Sequence, residues 1–446
     1  MGTDVGISKG RVRQQEGYGE GSPPREWRDR WRASMPDGWS ASGRVKRRYV
    51  YGATEKECAR KFRDLKRELW ADDNARAVNP RKTVKQWIDD WLDDLKLHAR
   101  PRTFASDSGL ARKWIVPTLG ARKLIDLTAR DMRKLEAATR AGGLGQTSTH
   151  YVAALLRRIL IAAKAEGYKV PDSILVARMP APGESDRTAI PVDDAMQLLS
   201  AAMMPESWPP PPELDQLPYG AVKKLPPSAM VERKRIRRAR MAWRRAADTD
   251  PSRWVAALLQ GLRSGEARGL TWDRVDFDSK TLTIDRQLQE FPVGSTPPGI
   301  SVVHLESSYH LTPVKTRAGD RVVPLVPWMV HALKKWRDIQ QPSPYGLVWP
   351  RLSGSPMSQP DELSAWKALQ AVVGVEHPSG RPFVLHEARH TTVSLLLAAD
   401  VPPPVVIAIV GHSTFSSSQP YSHTDMAAAR EALAKVSDRL GLELES

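Results

Sequence analysis

Two polar linkers, Ala71 to Arg81 and Pro180 to Arg187, divide this chain of 446 residues into stretches whose apolar residues repeat with different periods. No single core can serve all of them. At a soft figure of roughly 150 residues per domain, the length itself suggests about three. The expected class is a multidomain α+β protein: a small N-terminal β-sheet plus helix, an all-helical domain, and a mixed α/β domain.

The boundaries follow the pattern. Residues 1–22 are polar and Gly/Glu-rich and read as a disordered tail with no apolar signal core. Residues 23–72 form the first domain. Arg25 to Arg32 reads as one strand, with Trp27 and Trp31 on one face and Arg28, Arg30 and Arg32 on the other. Arg44 to Tyr51 reads as a second basic strand carrying Arg44, Lys46 and Arg48. Thr54 and Glu57 make a capping-box pattern, after which Cys58, Phe62, Leu65 and Leu69 form one helical stripe. The two basic strands point to a DNA-binding sheet.

A second domain, 79–180, opens on Thr83 and Gln86, again a capping-box pair. Val84, Trp87, Ile88, Trp91, Leu92 and Leu95 mark an amphipathic helix. Further helices are expected near 102–115, 128–140 and 147–166. The third domain, 187–446, contains a Pro-rich and basic segment at 205–245 that reads as an insertion; its Arg233 to Arg245 portion is expected to be helical.

The net charge of +16 favours a polyanionic partner, nucleic acid first. No apolar run approaches the about 18 residues of a membrane span. One cysteine, Cys58, excludes an internal disulfide and disfavours a Cys-based metal site. These features fit a cytosolic protein.

Four segments in the third domain carry chemistry. Gly261-Leu262-Arg263-Ser264-Gly265-Glu266 follows an apolar helix, with Arg263 at a turn and Ser264 as N-cap of the next helix. An arginine there can bind a phosphate. Pro313 to Leu325 reads as a β-hairpin with Gly319 in its turn and Lys315 near its tip. His386-Glu387-Ala388-Arg389-His390 opens an apolar helix, so His386 and Arg389, three apart, share a face. His390 reads as structural. Gly411-His412 stands nine residues before Tyr421, with His423 just beyond. A tyrosine, with its usual pKa near 10, needs an electrostatic field or a base to become a nucleophile, and these arginines, histidines and lysine can supply one.

In this order and spacing the segments resemble the tyrosine site-specific recombinase, or phage integrase, family: Arg263 with Glu266, Lys315, His386 with Arg389, Gly411-His412 and Tyr421. The upstream stretches are similar to the core-binding and arm-type DNA-binding domains of the lambda-like integrases. The resemblance implies that Tyr421 attacks a scissile phosphate to give a 3′-phosphotyrosine and a free 5′-hydroxyl. It also implies that Arg263 and Arg389 hold the non-bridging oxygens, that Lys315 protonates the leaving oxygen, that His386 and His412 handle protons or position the phosphate, and that Glu266 orients Arg263. No metal or other cofactor is required by such an exchange of phosphoesters. The implied partners are double-stranded DNA attachment sites, three further copies in a homotetramer on DNA, a DNA-bending host factor and a directionality factor, in the cytoplasm of a bacterial host at the nucleoid. Ala388, where many members carry Leu, and Pro420, directly before the tyrosine, depart from the pattern. Met426, Ala429, Leu433, Val436 and Leu440 form a C-terminal apolar stripe. In the family such a tail helix docks on a neighbouring protomer; docking on its own domain is the alternative.

Overall fold

The computed structural model describes residues 21–39, 44–71, 79, 81–214, 222, 225–296, 299–316, 319–411 and 426–442, with the side chains of 38, 39 and 67–71 excepted. The tail through residue 20, Leu69 of the first helix stripe, and the segment 412–425 with His412, Tyr421 and His423 therefore lie outside the described residues. The chain is a multidomain α+β protein in two compact units, 1–184 and 185–446.

The first unit begins with an antiparallel sheet, β1 (Ser22–Trp27), β2 (Arg30–Trp39) and β3 (Val45–Gly52), backed by α1 (Glu55–Ala71). Ala33, Met35, Cys58 and Leu65 are buried between sheet and helix. One expectation fails here. Arg25 to Arg32 is not one strand but two, because Arg28 turns the chain with a left-handed φ of 55° and Trp27 pairs with Arg30. Two-residue hairpins require such a φ. The turn reverses the predicted faces: Trp27 joins Arg30 and Arg32, while Trp31 alternates to the helix side with Ala33 and Met35.

After this sheet comes a helical bundle. Thr83 caps α2 (Val84–His98) as expected: its hydroxyl accepts the Gln86 N–H at 3.3 Å, and the Gln86 side chain accepts the Thr83 N–H at 3.0 Å. A continuous helical run follows through α3 (Pro101–Leu110), a π turn (Ala111–Ile115) and α4 (Val116–Leu119). Then come α5 (Ala129–Ala141), α6 (Gln146–Ala165) and the short α7 (Asp172–Leu175). Trp87, Ile88, Leu92, Ile115, Leu135, Leu156 and Ile159 form the bundle's own core. The Trp87 indole N–H donates to the Ile159 carbonyl at 2.8 Å, so the largest core side chain leaves no polar atom stranded.

The second unit is built on another core. Around it lie α8 (Val192–Met203), α9 (Pro227–Ala247), α10 (Pro251–Leu258), α11 (Ser264–Arg268), α12 (Pro327–Ile339), α13 (Gln359–Val373), α14 (Leu385–Ala398), α15 (Pro403–Val410) and α16 (Met426–Arg439). The basic segment is helical as expected; α9 packs on α13, and its Trp243 meets Trp208 edge-on at 5.5 Å.

Strands β4 (Val275–Asp276), β5 (Thr281–Ile284) and β9 (Arg321–Pro324) make one sheet; β6 (Arg286–Glu290), β8 (Tyr309–Pro313) and β7 (Val303–His304) make another. The expected hairpin between Pro313 and Leu325 is absent. β8 and β9 do not pair with each other; each pairs antiparallel with its own part of the β5–β6 run, on either side of Asp285. Lys315 therefore stands on the connection between two sheets. Gly319 does turn that connection, its N–H donating to the Thr316 carbonyl at 2.9 Å.

Within this single chain α16 docks on its own unit. Ala429, Leu433, Val436 and Leu440 are buried in the core. Arg430 and Arg439 donate to the Ser279 and Ala398 carbonyls at 2.7 and 2.8 Å.

Candidate active site

Helix α10 ends where the site begins. Its final carbonyls have no partner within the helix. Thr392 of α14 donates to the Leu258 carbonyl at 2.8 Å, and Arg389, one turn earlier, donates to the Gly261 carbonyl at 2.6 Å. Gly261 takes a left-handed φ of 62°, and a Cβ there would lie 3.1 Å from Val410. Glycine alone allows both the turn and the close approach of α14 and α15.

Arg263, not Ser264, is the N-cap of α11; Ser264 is already the first helical residue. The reason is Glu266, whose carboxylate reaches back to accept the Arg263 N–H at 3.0 Å. The same carboxylate takes Arg263 Nη1 at 2.6 Å and Arg321 Nη2 at 2.9 Å. Arg263 Nη2 spans to the Gly411 carbonyl at 2.8 Å. Arg321, which the sequence reading passed over, also donates to the carbonyls of Ile409 at 2.8 Å and Gly319 at 3.1 Å. It thus ties together the end of α15, the connection bearing Lys315, and Glu266. Period-two alternation in Arg321-Val322-Val323 marks Arg321 as inward-facing, the one signal that would have found it.

The electrostatics follow from this geometry. Burial alone would raise the Glu266 carboxyl, but Arg321 and Arg263 more than offset it and hold it below its ordinary range. Arg389 is 1% exposed. Burial, then the charges of Arg263 and Arg321, push its pKa down to about 9, so it stays cationic at neutral pH. Three guanidiniums thus crowd around one carboxylate, an arrangement that attracts an anion. His386 has an exposed edge, yet the protein around it, then His390, Arg389, Arg187 and Arg263, push it down to about 4. His390 packs edge-on against it with ring centroids 4.9 Å apart and is itself lowered by burial, Arg187 and Arg389.

Arg263, Glu266, His386 and Arg389 are therefore brought together, and Gly411 beside them leads directly to His412. Lys315 is exposed four residues before the Gly319 carbonyl that Arg321 holds.

The N-terminal sheet presents another charged face. Arg28 and Arg32 lie over Trp27 at 4.6 and 4.7 Å, and Arg30 lies over Tyr51 at 4.6 Å. Register pairs Arg32 with Tyr51, Ser34 with Tyr49, Pro36 with Arg47, and Met35 with Arg48. Arg47, not Lys46 or Arg48, thus shares the face of Arg30 and Arg32; by alternation Lys46 goes with Arg48. Arg44 is exposed just ahead of β3.

Comparison with known proteins adds a lineage. The phage integrase family model matches residues 253–428, and the N-terminal SAM-like domain of phage integrases matches 83–136. An integrase of Saccharopolyspora erythraea is 23% identical over 88% of this chain and 90% of its own. An integrase of Streptomyces ambofaciens is 26% identical over 87% of each. Among solved structures, the Tn1549 transposon integrase in complex with a circular intermediate DNA has the same fold, with a TM-score of 0.55 at 15% identity, covering 82% of this chain and 96% of that one.

Proposed function

The chain belongs to the phage integrase family of tyrosine recombinases, and from that premise we propose that it cleaves and rejoins DNA at specific sites to integrate or excise a mobile element, with Tyr421 as the nucleophile. The observation that carries the reading is the group of Arg263, Arg321 and Arg389 around Glu266, fastened at Gly411 immediately before His412. Arg263 and Arg389 hold the non-bridging oxygens of the scissile phosphate and offset the charge that grows on them in the transition state. Glu266 and Arg321 keep Arg263 in place. His386, neutral before DNA binds, donates to or accepts from a phosphate oxygen. Lys315 protonates the departing 5′-oxygen and His412 assists at the phosphate. The step exchanges one phosphoester for another: Tyr421 Oη bonds to phosphorus, the 5′-oxygen leaves with a proton, and the reverse attack by a second 5′-hydroxyl releases the tyrosine.

The same reading assigns 23–72 to arm-type sites, 79–180 to core sites and 187–446 to catalysis, and expects a homotetramer on DNA with host-encoded bending and directionality factors. Its place of action is the bacterial nucleoid. Among the described residues no helix is long and apolar enough to cross a membrane.

The test is covalent trapping on a nicked suicide substrate carrying a candidate core site. Wild type should leave a denaturant-resistant protein–DNA adduct, and Tyr421→Phe should leave none while binding the same DNA. An adduct that persists in Tyr421→Phe removes this tyrosine from the reaction.

A further inference from the structure

The basic helix that follows the proline-rich stretch has no task in the reaction proposed above. In its 21 residues α9 carries eight basic side chains against one acidic one, Glu232. Like charges four apart, such as Arg233 with Arg237 and Lys234 with Arg238, work against a helix. Packing offsets this on one side. Trp243, Ala246 and Ala247 join the core of the second unit, and α9 lies along α13. Three of the cations are held by the protein itself. Arg235 Nη2 pairs with Glu232 at 2.6 Å, Arg245 Nη2 pairs with Asp361 at 3.0 Å, and Arg240 donates to the Pro212 carbonyl at 3.2 Å.

Lys234, Arg237 and Arg244 are different. Their spacing of three and seven residues puts them on one face, turned away from Trp243 and Ala246, and all three are exposed. Among the described residues none of the three has an ion-pair partner. The carboxylates around the helix do not cancel them. Glu232 and Asp361 are taken, Glu213 follows Pro212, and Asp248 feels the charge of Arg244 without pairing with it. Arg238 on the flank and Lys367 of α13 line one groove and add further positive charge.

A membrane-surface helix needs a free apolar face beside its basic one. In α9 the tryptophan and alanine face is already used by the core, and Met241 alone stands among the three cations. What fits such a face is a ladder of anions. Duplex DNA carries a phosphate about every 3.4 Å along each strand, and Lys234 to Arg244 spans about 15 Å. The helix is also tied to the candidate active site. Asp361, held by Arg245, precedes Glu362, which accepts from Ser264, the residue after Arg263.

We propose that α9 lies along the phosphate backbone of the duplex held at Arg263 and Arg389, with Lys234, Arg237 and Arg244 each neutralising a phosphate away from the cleavage point. The ligand rests on the recombinase reading. Phosphate contacts fix position and carry no sequence, so they act on any duplex alike.

The test titrates the full chain with a duplex carrying the candidate core site, and with an unrelated duplex of the same length, at several salt concentrations. Lys234→Gln, Arg237→Gln and Arg244→Gln should each reduce the salt slope of the binding constant by about one, and the triple variant by about three, on both duplexes. At low salt the triple variant should bind about tenfold or more weakly. Glutamine is a good helix former, and thermal melting checks the fold; the single changes decide if the triple variant melts early. Arg235→Gln, whose charge Glu232 already takes, should leave the slope near that of wild type. The proposal is overturned if the folded variants keep the wild-type slope and affinity, if Arg235→Gln changes the slope as much as Arg237→Gln, or if the loss is confined to one duplex. Failure of the recombinase reading shows separately: wild type would bind the duplex yet leave no covalent adduct on the suicide substrate, while the salt slope still decides the role of α9.

Discussion

Gly261 combines a backbone demand with a packing demand, and both act on the arginines proposed to hold the scissile phosphate. Its left-handed φ costs any side chain about 1–2 kcal/mol, and an added Cβ would press on Val410. Gly261→Ala should lower the melting temperature of the second unit and slow cleavage, because its carbonyl is the acceptor that aims Arg389; an unchanged melt and rate would show that the turn relaxes freely. Replacing Arg263 or Arg389 by Ala should slow single-turnover cleavage by about two to three orders of magnitude, as for loss of an oxyanion donor. Rates within tenfold of wild type would remove that arginine from the phosphate site. His386 makes a prediction in pH. Its folded pKa, about 4, lies below the ordinary 6.5. Between those values the unfolded chain binds the extra proton, so this residue's contribution to stability is complete above about pH 6.5 and is lost as pH falls towards 4. A bound phosphate reverses part of the depression. An imidazole titration followed by NMR should find His386 low in the free protein and higher on core-site DNA; a pKa at its ordinary value in the free protein contradicts the arrangement of charges.

At the scale of elements, local chemistry was legible and long-range pairing was not. Thr83 with Gln86, and the helical spacing of Val84, Trp87, Ile88 and Trp91, announce α2 because capping and amphipathicity are decided within a few residues. The motif order likewise pointed to Arg263, Glu266, His386 and Arg389. The stretch from Pro313 to Leu325 misled because strand–turn–strand says nothing of what each strand pairs with. The partner of both, the β5–β6 run, lies 19 to 43 residues upstream of the positions it pairs with. Arg28 misled in the opposite sense: eight residues rich in Trp and Arg alternate like one strand, and nothing local but a non-glycine residue at positive φ reverses them. Arg321 was missed since its partners, Glu266 and the Ile409 carbonyl, are remote in sequence. Arg321→Ala would leave Glu266 buried with half its support, which typically costs about 3–5 kcal/mol. Thermal melting should show that loss, and a variant as stable as wild type would make the pair dispensable. The N-terminal sheet carries its own expectation. Deleting residues 1–72 should spare cleavage of a core-site suicide substrate, while the sheet's DNA affinity should fall steeply with salt through Arg30, Arg32 and Arg47. A folded truncation that no longer cleaves the core site would contradict the division of labour.

Across the whole molecule, the two units keep separate cores with no residue in common. Helix α16 belongs to the second of them. Leu433, fully buried, should cost about 2–5 kcal/mol when cut to Ala, measured as a shift of the second unit's denaturation midpoint. No shift would mean that the tail helix leaves its own unit in solution. The cores also let unfolding be watched from one end at a time. Cys58, the chain's single sulfhydryl, lies sealed between α1 and the sheet with its Sγ 3.8 Å from the Val50 carbonyl, and burial raises its pKa. A thiol reagent reaches it only when that small sheet opens. Its rate of alkylation is therefore a clock for breathing of the N-terminal sheet, which the many tryptophans spread through the rest of the chain cannot disturb.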